Sequence, residues 1–328
     1  MSASSTPNDG TPNDGTPTAG ILNAGPVRLR LPATSANLGP GFDAVAVALD
    51  FYLEIEAESA AAFSIIVTGR DKERCSRLED NLVLDLYQSL LREHGKPVVP
   101  LGIRMANGIP LGMGCGSSAA GRLAAIVLAV HFGGLGWSSE RILEEACWLE
   151  GHPDNAAACW LGGFVAAACE GRTPYVARVA PPAEWRAIVV LPADPLPTSM
   201  ARSVLPETYS RADAVANIQS VSLLGLAFSQ ARGDLLRIAM SDRIHQPYRA
   251  QICPLLPRLL PLAGDHGILG AALSGAGPSV LVITDSEANA TLASAEICAA
   301  LGGQMEAELL ACRFVATGAR QFFEEHNC

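Results

Sequence analysis

The sequence predicts a mixed α+β chain, and three observations carry that reading. Its 328 residues are 49% hydrophobic, enough to build one large domain or two of ordinary size around sizeable cores. Runs that alternate apolar and polar residues with period two are interleaved with apolar and amphipathic helical runs. A change of texture between Arg172 and Pro182 marks a candidate boundary between two halves.

Composition narrows the function. Charged residues make up 17% and the formal net charge is −10, which argues against nonspecific binding to nucleic acid or anionic membranes and for small partners. Nine cysteines form no C-x-x-C, are odd in number and lie mostly in apolar runs, as suits a reducing cytoplasm. The N-terminus lacks the basic start and apolar core of a signal peptide. Thr6-Pro-Asn-Asp-Gly10 recurs instead as Thr11-Pro-Asn-Asp-Gly15, a polar repeat with nothing to bury, so residues 1–24 are expected to be a disordered tail. Leu123 to Phe132, the longest apolar helix candidate, is too short to span a bilayer.

The first element is a strand, Val27 to Leu31, followed by a loop from Pro32 to Asp43 dense in small and polar residues. Asn37 and Asp43 in that loop either close Asx turns or face a ligand. Ala44 to Glu58 reads as a pair of strands, with Leu53, Ile55 and Ala57 alternating against Glu54, Glu56 and Glu58. A strand from Phe63 to Thr68 and a polar loop from Arg70 to Asp80 precede an amphipathic helix, Asn81 to Arg92, in which Asn81 is an N-cap or a nucleotide contact.

The run Val98 to Met105 reads as a strand, and Pro110-Leu-Gly-Met-Gly-Cys-Gly-Ser-Ser-Ala-Ala-Gly121 follows it. Gly112, Gly114 and Gly116 permit positive φ and close approach of the backbone to a ligand, while Ser117 and Ser118 open a helix with hydroxyls and free N–H groups. A helix N-terminus carries about half a positive charge, so the stretch is either a phosphate cradle or a plain glycine turn beside a cap. The Walker pattern is excluded because the only lysines are Lys72 and Lys96, and the glycine spacing breaks the dinucleotide fingerprint. Phosphate charge must then be met by backbone N–H groups, the helix dipole, a metal and arginine.

The helix Ser117 to Phe132 is apolar nearly all round and stops at Gly133-Gly134, which predicts a buried central helix. Trp137 to Gly151 reads as a further helix capped by Ser138 or Ser139, with Glu144 and Glu145 adjacent. In Glu150-Gly-His-Pro-Asp-Asn155, Pro153 suits a first helical turn and Asp154 its positive end, which leaves His152 and Asn155 unexplained. Phe164 to Cys169 and Arg186 to Leu191 read as strands, and Pro197 to Arg202 as a polar turn before a short helix. A helix from Asn217 to Ala231 and a loop from His245 to Arg249 follow. Strands Gly267 to Leu273 and Pro278 to Thr284 flank a second glycine loop, Ser274-Gly-Ala-Gly277, before an Ala-rich helix and a closing strand, Met305 to Phe314.

Taken together, these motifs resemble the galactokinase, homoserine kinase, mevalonate kinase and phosphomevalonate kinase (GHMP kinase) superfamily over roughly residues 26 to 320. Pro32-Ala-Thr-Ser-Ala-Asn-Leu-Gly, Gly41-Phe-Asp43, Glu150-Gly-His-Pro-Asp-Asn155, Thr198-Ser-Met-Ala-Arg202 and His245-Gln-Pro-Tyr-Arg249 look like its homoserine kinase branch. The resemblance implies a two-domain GHMP kinase fold. It comprises an N-terminal ATP-binding domain over 25–172, like domain 2 of ribosomal protein S5, and a ferredoxin-like α+β domain over 173–328, with the active site between. The implied reaction, with ATP and Mg²⁺, phosphorylates the hydroxyl of L-homoserine on the way to threonine, in a cytoplasmic homodimer.

By motif position, Asn81, Pro110, Leu111, Gly112, Met113, Gly114, Cys115, Gly116, Ser117, Ser118, Gly275 and Gly277 would hold the nucleotide. Ser118 and Glu144 would hold the Mg²⁺. Asn37, Asp43, His152, Asn155, Thr198, Arg202 and Arg249 would surround homoserine, with Asn155 and Arg202 the catalytic candidates near its hydroxyl. Relatives in the superfamily use an Asp base that the homoserine kinase branch lacks, and the residues of this chain leave both options open. Met113, Cys115 and Gln246 depart from the residues commonest in the family without removing a glycine or a proposed charged ligand. Two rivals remain, another small-molecule kinase of the superfamily and a non-catalytic ligand sensor. The sensor should have lost Ser118 or Glu144, and both are present. Since the N-terminal repeat has nothing to bury, deleting residues 2 to 22 is expected to leave activity and Tm nearly unchanged. A large drop in either would show the tail to be docked.

Overall fold

The computed structural model describes residues 24–303 and 305–327. The tail expected over 1–24 therefore lies, but for Ala24, outside the described residues. The first half runs β1 (Val27–Asn37), β2 (Gly41–Ser59), β3 (Ser64–Gly69), α1 (Lys72–Cys75), α2 (Leu82–Glu93), β4 (Leu101–Asn107), α3 (Ser117–Gly133), α4 (Ser139–Glu150), α5 (Asp154–Leu161), β5 (Phe164–Glu170) and β6 (Thr173–Val179). Its strands form one sheet in the order β3-β4-β2-β5-β6, with β1 paired to β2.

Two expectations for this half change. Ala44 to Glu58 is one long strand rather than a pair: its first part pairs with β5 and its second with β4, while β1 runs along its other edge. The Pro32–Asp43 loop is mostly strand as well, because Pro32, which has no N–H to donate, falls where the β1–β2 register shifts. The alternation of glutamates is met as predicted. Arg28 and Arg30 stand opposite Glu56 and Glu54 across the strands and pair with them at 3.1 and 3.0 Å on the wet face.

The second half runs β7 (Arg186–Pro192), α6 (Thr198–Ser203), α7 (Arg211–Ser229), α8 (Leu236–Ala239), α9 (Gln246–Arg249), α10 (Leu256–Leu259), β8 (Ile268–Leu273), β9 (Val280–Thr284), α11 (Glu287–Leu301), β10 (Ala307–Arg313) and α12 (Ala319–Asn327). The antiparallel sheet has the order β10-β7-β9-β8, the β-α-β-β-α-β arrangement of a ferredoxin-like unit. The expected loop at His245–Arg249 contains the short helix α9, and the chain closes on α12, which packs against β1 and α5. Because β6 pairs with β5, the first sheet continues past the divide expected at 172/173 and ends at Val179.

Period-two alternation along β7 joins the two halves. Ala187, Val189 and Leu191 enter the core shared with the first sheet, whereas Ile188 and Val190 face a second core that includes Leu256 and Leu259 of α10 and Ala293 and Ile297 of α11. Phe228 of α7 stacks on Phe164 of β5 at 4.3 Å between ring centroids, binding the halves further. Among the described residues, no helix is long and apolar enough to cross a membrane.

The two glycine loops meet where the halves join. Gly112, Gly114 and Gly116 have φ of +71°, +74° and +71°. A Cβ at Gly114 would overlap the carbonyl oxygen of Ser274 and crowd that of Gly277, and one at Gly116 would overlap Thr34 Oγ1. Space that the sequence assigns to a ligand is thus already taken by protein at both positions. Backbone cannot yield as a flexible side chain can, so Gly114→Ala is expected to cost about 2–4 kcal/mol of stability from left-handed φ plus overpacking. Gly95→Ala, also left-handed at φ +64° but with nothing within 4 Å of the added carbon, is expected to cost only about 1 kcal/mol or so. Denaturant unfolding compares the two, and equal losses would contradict the packing argument.

Candidate active site

A cleft of about 670 Å³ lies between the halves. At its centre is the N-terminus of α3, where Gly116 sits at the N-cap in a left-handed conformation without a capping side chain. The loop before it is strapped from three sides: Thr34 N donates to Cys115 O at 3.1 Å, Leu196 N to Gly112 O at 3.1 Å, and Ser274 Oγ to Gly114 O at 2.7 Å. The loop is thereby fixed ahead of the N-terminus of α3, where uncapped N–H groups and the helix dipole favour an anion. Of the residues assigned to the nucleotide, Gly112, Gly114, Gly116, Ser117, Ser118, Leu111, Gly275 and Gly277 line this cleft. Pro110 and Met113 line a separate cavity behind the loop, and Cys115 is buried, its thiol pushed up to about 12 by desolvation.

One end of the cleft is apolar, with Leu53, Val83, Met105 and Ile109. Asn81 stands at that end, but its amide is engaged on both sides. Its Oδ1 accepts from Val83 N and Leu84 N, and its Nδ2 donates to Cys75 O and Arg77 O. It is the N-cap of α2, and its side chain has little left to offer a nucleotide.

The carboxylate expected beside Ser118 is not the one found there. Glu144 lies away from the cleft, paired with Arg141 at 2.6 Å and Arg172 at 3.6 Å, and Glu145 pairs with the same arginines. Glu150, at the end of α4, lines the cleft instead. Arg122 Nη1 donates both to Ser118 Oγ and to Glu150 Oε1, so these two oxygen donors flank one guanidinium. The sequence contained a signal for this, since Arg122 is an arginine in an otherwise apolar helix.

The other end of the cleft is polar and drawn from both halves. Where β1 passes into β2, Asn37, Leu38 and Asp43 are at positive φ, a cluster of backbone strain of the kind found at functional sites. Asn37 Oδ1 accepts from Asp43 N at 3.0 Å and Asn37 Nδ2 donates to Gly275 O at 2.7 Å, tying the turn to the second glycine loop. Asp43 receives both terminal nitrogens of Arg202, at 2.9 and 2.7 Å. Thr198 opens α6 at the rim, with Arg202 in the same helix.

Asp154, 1% exposed at the start of α5, accepts from His152 Nδ1 and from Asn155 N, each at 2.6 Å. Burial opposes protonation of His152, but the hydrogen bond to Asp154 and the charges of Asp154, Asp43 and Glu150 outweigh it and hold the imidazole above its usual value. The ligand atoms of Asp43, His152 and Asp154 lie within 4.8 Å of one another, yet a histidine that favours its proton is a poor metal ligand. Asn155 Oδ1 accepts from Thr34 Oγ1 at 2.7 Å beside Gly116, between the phosphate loop and the polar end.

Arg249 is 1% exposed and borders the cleft. Its Nε donates to Ala201 O at 3.0 Å, and its Nη1 lies 3.3 Å from Gly275 O and 3.2 Å from His245 Nδ1. Among the described residues it forms no ion pair with a carboxylate. Burial and the neighbouring Arg202 charge push its pKa down, the expression of a buried cation short of an anion. His245, fully buried, has its other ring nitrogen 2.7 Å from Gly39 O. An Nδ1 facing a guanidinium must accept, so the proton belongs on Nε2. Arg249, expected near the substrate, does border the cleft, and His245, one helical turn before it, holds its guanidinium without carrying a local signal for that contact.

Comparison with known proteins places this geometry in a family. The GHMP kinases N-terminal domain matches residues 81–163 and the GHMP kinases C-terminal domain residues 227–303. A homoserine kinase from Solibacter usitatus is 44% identical over 255 residues, spanning 77% of this chain and 84% of that one. A homoserine kinase from Deinococcus radiodurans is 38% identical over 262 residues, spanning 80% and 85%. The crystal structure of homoserine kinase from Cytophaga hutchinsonii matches with a TM-score of 0.76 and 26% identity, covering 89% of this chain and 96% of that one. With sequence identity of that extent and both domains in place, the chain belongs to the homoserine kinase family of the GHMP kinases.

Proposed function

We propose that this chain is a homoserine kinase, transferring the γ-phosphoryl group of ATP to the hydroxyl of L-homoserine to give O-phospho-L-homoserine and ADP. The observation that carries the substrate assignment is Arg249, a guanidinium 1% exposed at the cleft with no carboxylate partner among the described residues. A cation held in that condition favours an anionic ligand, and a guanidinium fork matches a carboxylate. The apolar end of the cleft suits the adenine, and the N–H groups of the glycine loop and of Ser117 and Ser118 suit the phosphates.

Ser118 and Glu150 supply oxygen donors of the kind Mg²⁺ prefers, and both line the cleft beside the phosphate loop, so they fit the role of metal ligands. A bound Mg²⁺ there neutralises charge on the transferring phosphoryl group. The chain's own residues contribute position and field. Asn155 stands beside Gly116 within reach of the hydroxyl end, and Arg202, held by Asp43, offers positive charge close to it. The carboxylates at this end are already committed, Asp43 to Arg202 and Asp154 to His152, which supports a mechanism without a dedicated base. Phosphoryl transfer tolerates that, since its transition state is loose and rewards alignment. The free cysteines suit a reducing cytoplasm, and the homodimer rests on the family resemblance alone.

Turnover of homoserine measured by coupled ADP release tests the whole reading. Glu150→Gln is expected to lower kcat/KM by roughly 100-fold or more, as loss of a charged metal ligand beside triphosphate should. Glu144→Gln, remote from the cleft, is expected to stay close to wild type, and the reverse ranking would restore Glu144 as the ligand. Arg249→Leu is expected to lower kcat/KM for homoserine by roughly 30-fold or more, the cost of unpairing a buried charge. It should also lose most of the wild-type preference for homoserine over homoserine methyl ester. A mutant that still discriminates as wild type does would remove Arg249 from the clamp.

A further inference from the structure

Arg122 stands where the proposed metal ligands converge. It is the one charged side chain in the first turns of α3, four residues after Ser118 and so on the same helical face. Its Nη1 donates to Ser118 Oγ and to Glu150 Oε1 together. The Glu150 side chain is 8% exposed and that of Arg122 26% exposed, and both line the cleft, so the carboxylate is largely removed from water and the guanidinium is the more exposed partner. A carboxylate buried to that degree needs a countercharge, and Arg122 supplies it.

We infer that Arg122 is a resident countercation. It holds Ser118 and Glu150 together in the metal-free chain and must be displaced for a divalent cation to reach the same two oxygens. This rests on the reading of Ser118 and Glu150 as the metal ligands. A guanidinium and a divalent cation compete for the same lone pairs and repel each other, so one site holds one of them at a time. Arg122 therefore sets the metal affinity of the free chain. A metal arriving with a nucleotide has phosphate oxygens as additional ligands, which offsets the cost of expelling the arginine.

Binding of Mn²⁺ to the nucleotide-free full chain, followed by electron paramagnetic resonance at pH 8, tests the competition. A side chain that fills the site in about nine molecules of ten raises the apparent Kd about tenfold, so Arg122→Gln is expected to bind Mn²⁺ about tenfold more tightly than wild type. Arg122→Lys, which restores a cation, should return toward wild type, and Arg122→Gln combined with Glu150→Gln should lose the gain. A merely structural role would give the opposite sign, because a disturbed site binds metal less well. Unchanged or weaker Mn²⁺ binding by Arg122→Gln overturns the inference. Wild type supplies an independent reading that needs no variant: the Arg122 Nε–H resonance should shift and saturate as Mg²⁺ is added, and a resonance unmoved at saturation also overturns it. Should Glu150→Gln alone bind Mn²⁺ and Mn²⁺–ATP as wild type does, the metal-ligand assignment is what fails.

Discussion

The backbone of Gly114 lies directly against that of Ser274 and Gly277, and the functional geometry hangs from this contact. Gly114 cannot carry a Cβ there, so two stretches 160 residues apart in sequence meet at this glycine, with Ser274 Oγ donating to Gly114 O across the contact. From the same junction, Gly275 N donates to Ala36 O, and Gly275 O accepts from Asn37 and Arg249. One turn of backbone thereby positions the phosphate loop, the strained β1–β2 turn and the buried arginine at once. A shift of the second loop would move all three, which is why the cleft has a defined shape although its walls come from different domains.

Charge in the cleft follows a single logic. The chain is acidic overall, yet ATP is an anion and homoserine presents a carboxylate, so positive potential must be local rather than global. Arg122, Arg202 and Arg249 line the cleft together with the N-terminus of α3. Arg202 is neutralised by Asp43 and Arg122 by Glu150, and both pairs are open on at least one side to the cleft. Arg249 differs in having backbone carbonyls and a histidine nitrogen for partners, which satisfy hydrogen bonds without cancelling charge. The uncancelled charge is the feature that distinguishes a binding group from a structural one here.

Much of the architecture was legible in the sequence because it is written in local pattern. The apolar helix after the glycine loop, the Asn81 cap, the Ser138 cap and the short apolar strands around Ser274–Gly277 all arise from propensity and pattern within a few residues. Where local pattern misled, a distant partner intervened. Ala44–Glu58 carries no turn residue strong enough to break it, but only its pairing with β4 and β5 in succession shows why it must be a single strand. Thr173–Val179 is an irregular polar-apolar run whose membership of the first sheet is decided by β5.

The amino-acid sequence by itself determined the family, most of the longer helices and strands, and the glycine, serine and arginine motifs, since each is a run whose pattern needs no partner to be recognised. It could not determine which of several glutamates faces the phosphate loop. Glu144 and Glu150 lie on one helix, and the choice between them is made by Arg141 and Arg172, which draw Glu144 outward, and by Arg122, which meets Glu150 in the cleft. Nor could it tell that Gly114 and Gly116 are glycines to admit other parts of the protein. Those outcomes depend on where side chains and carbonyls far apart in the chain come to rest, and only tertiary packing sets those distances.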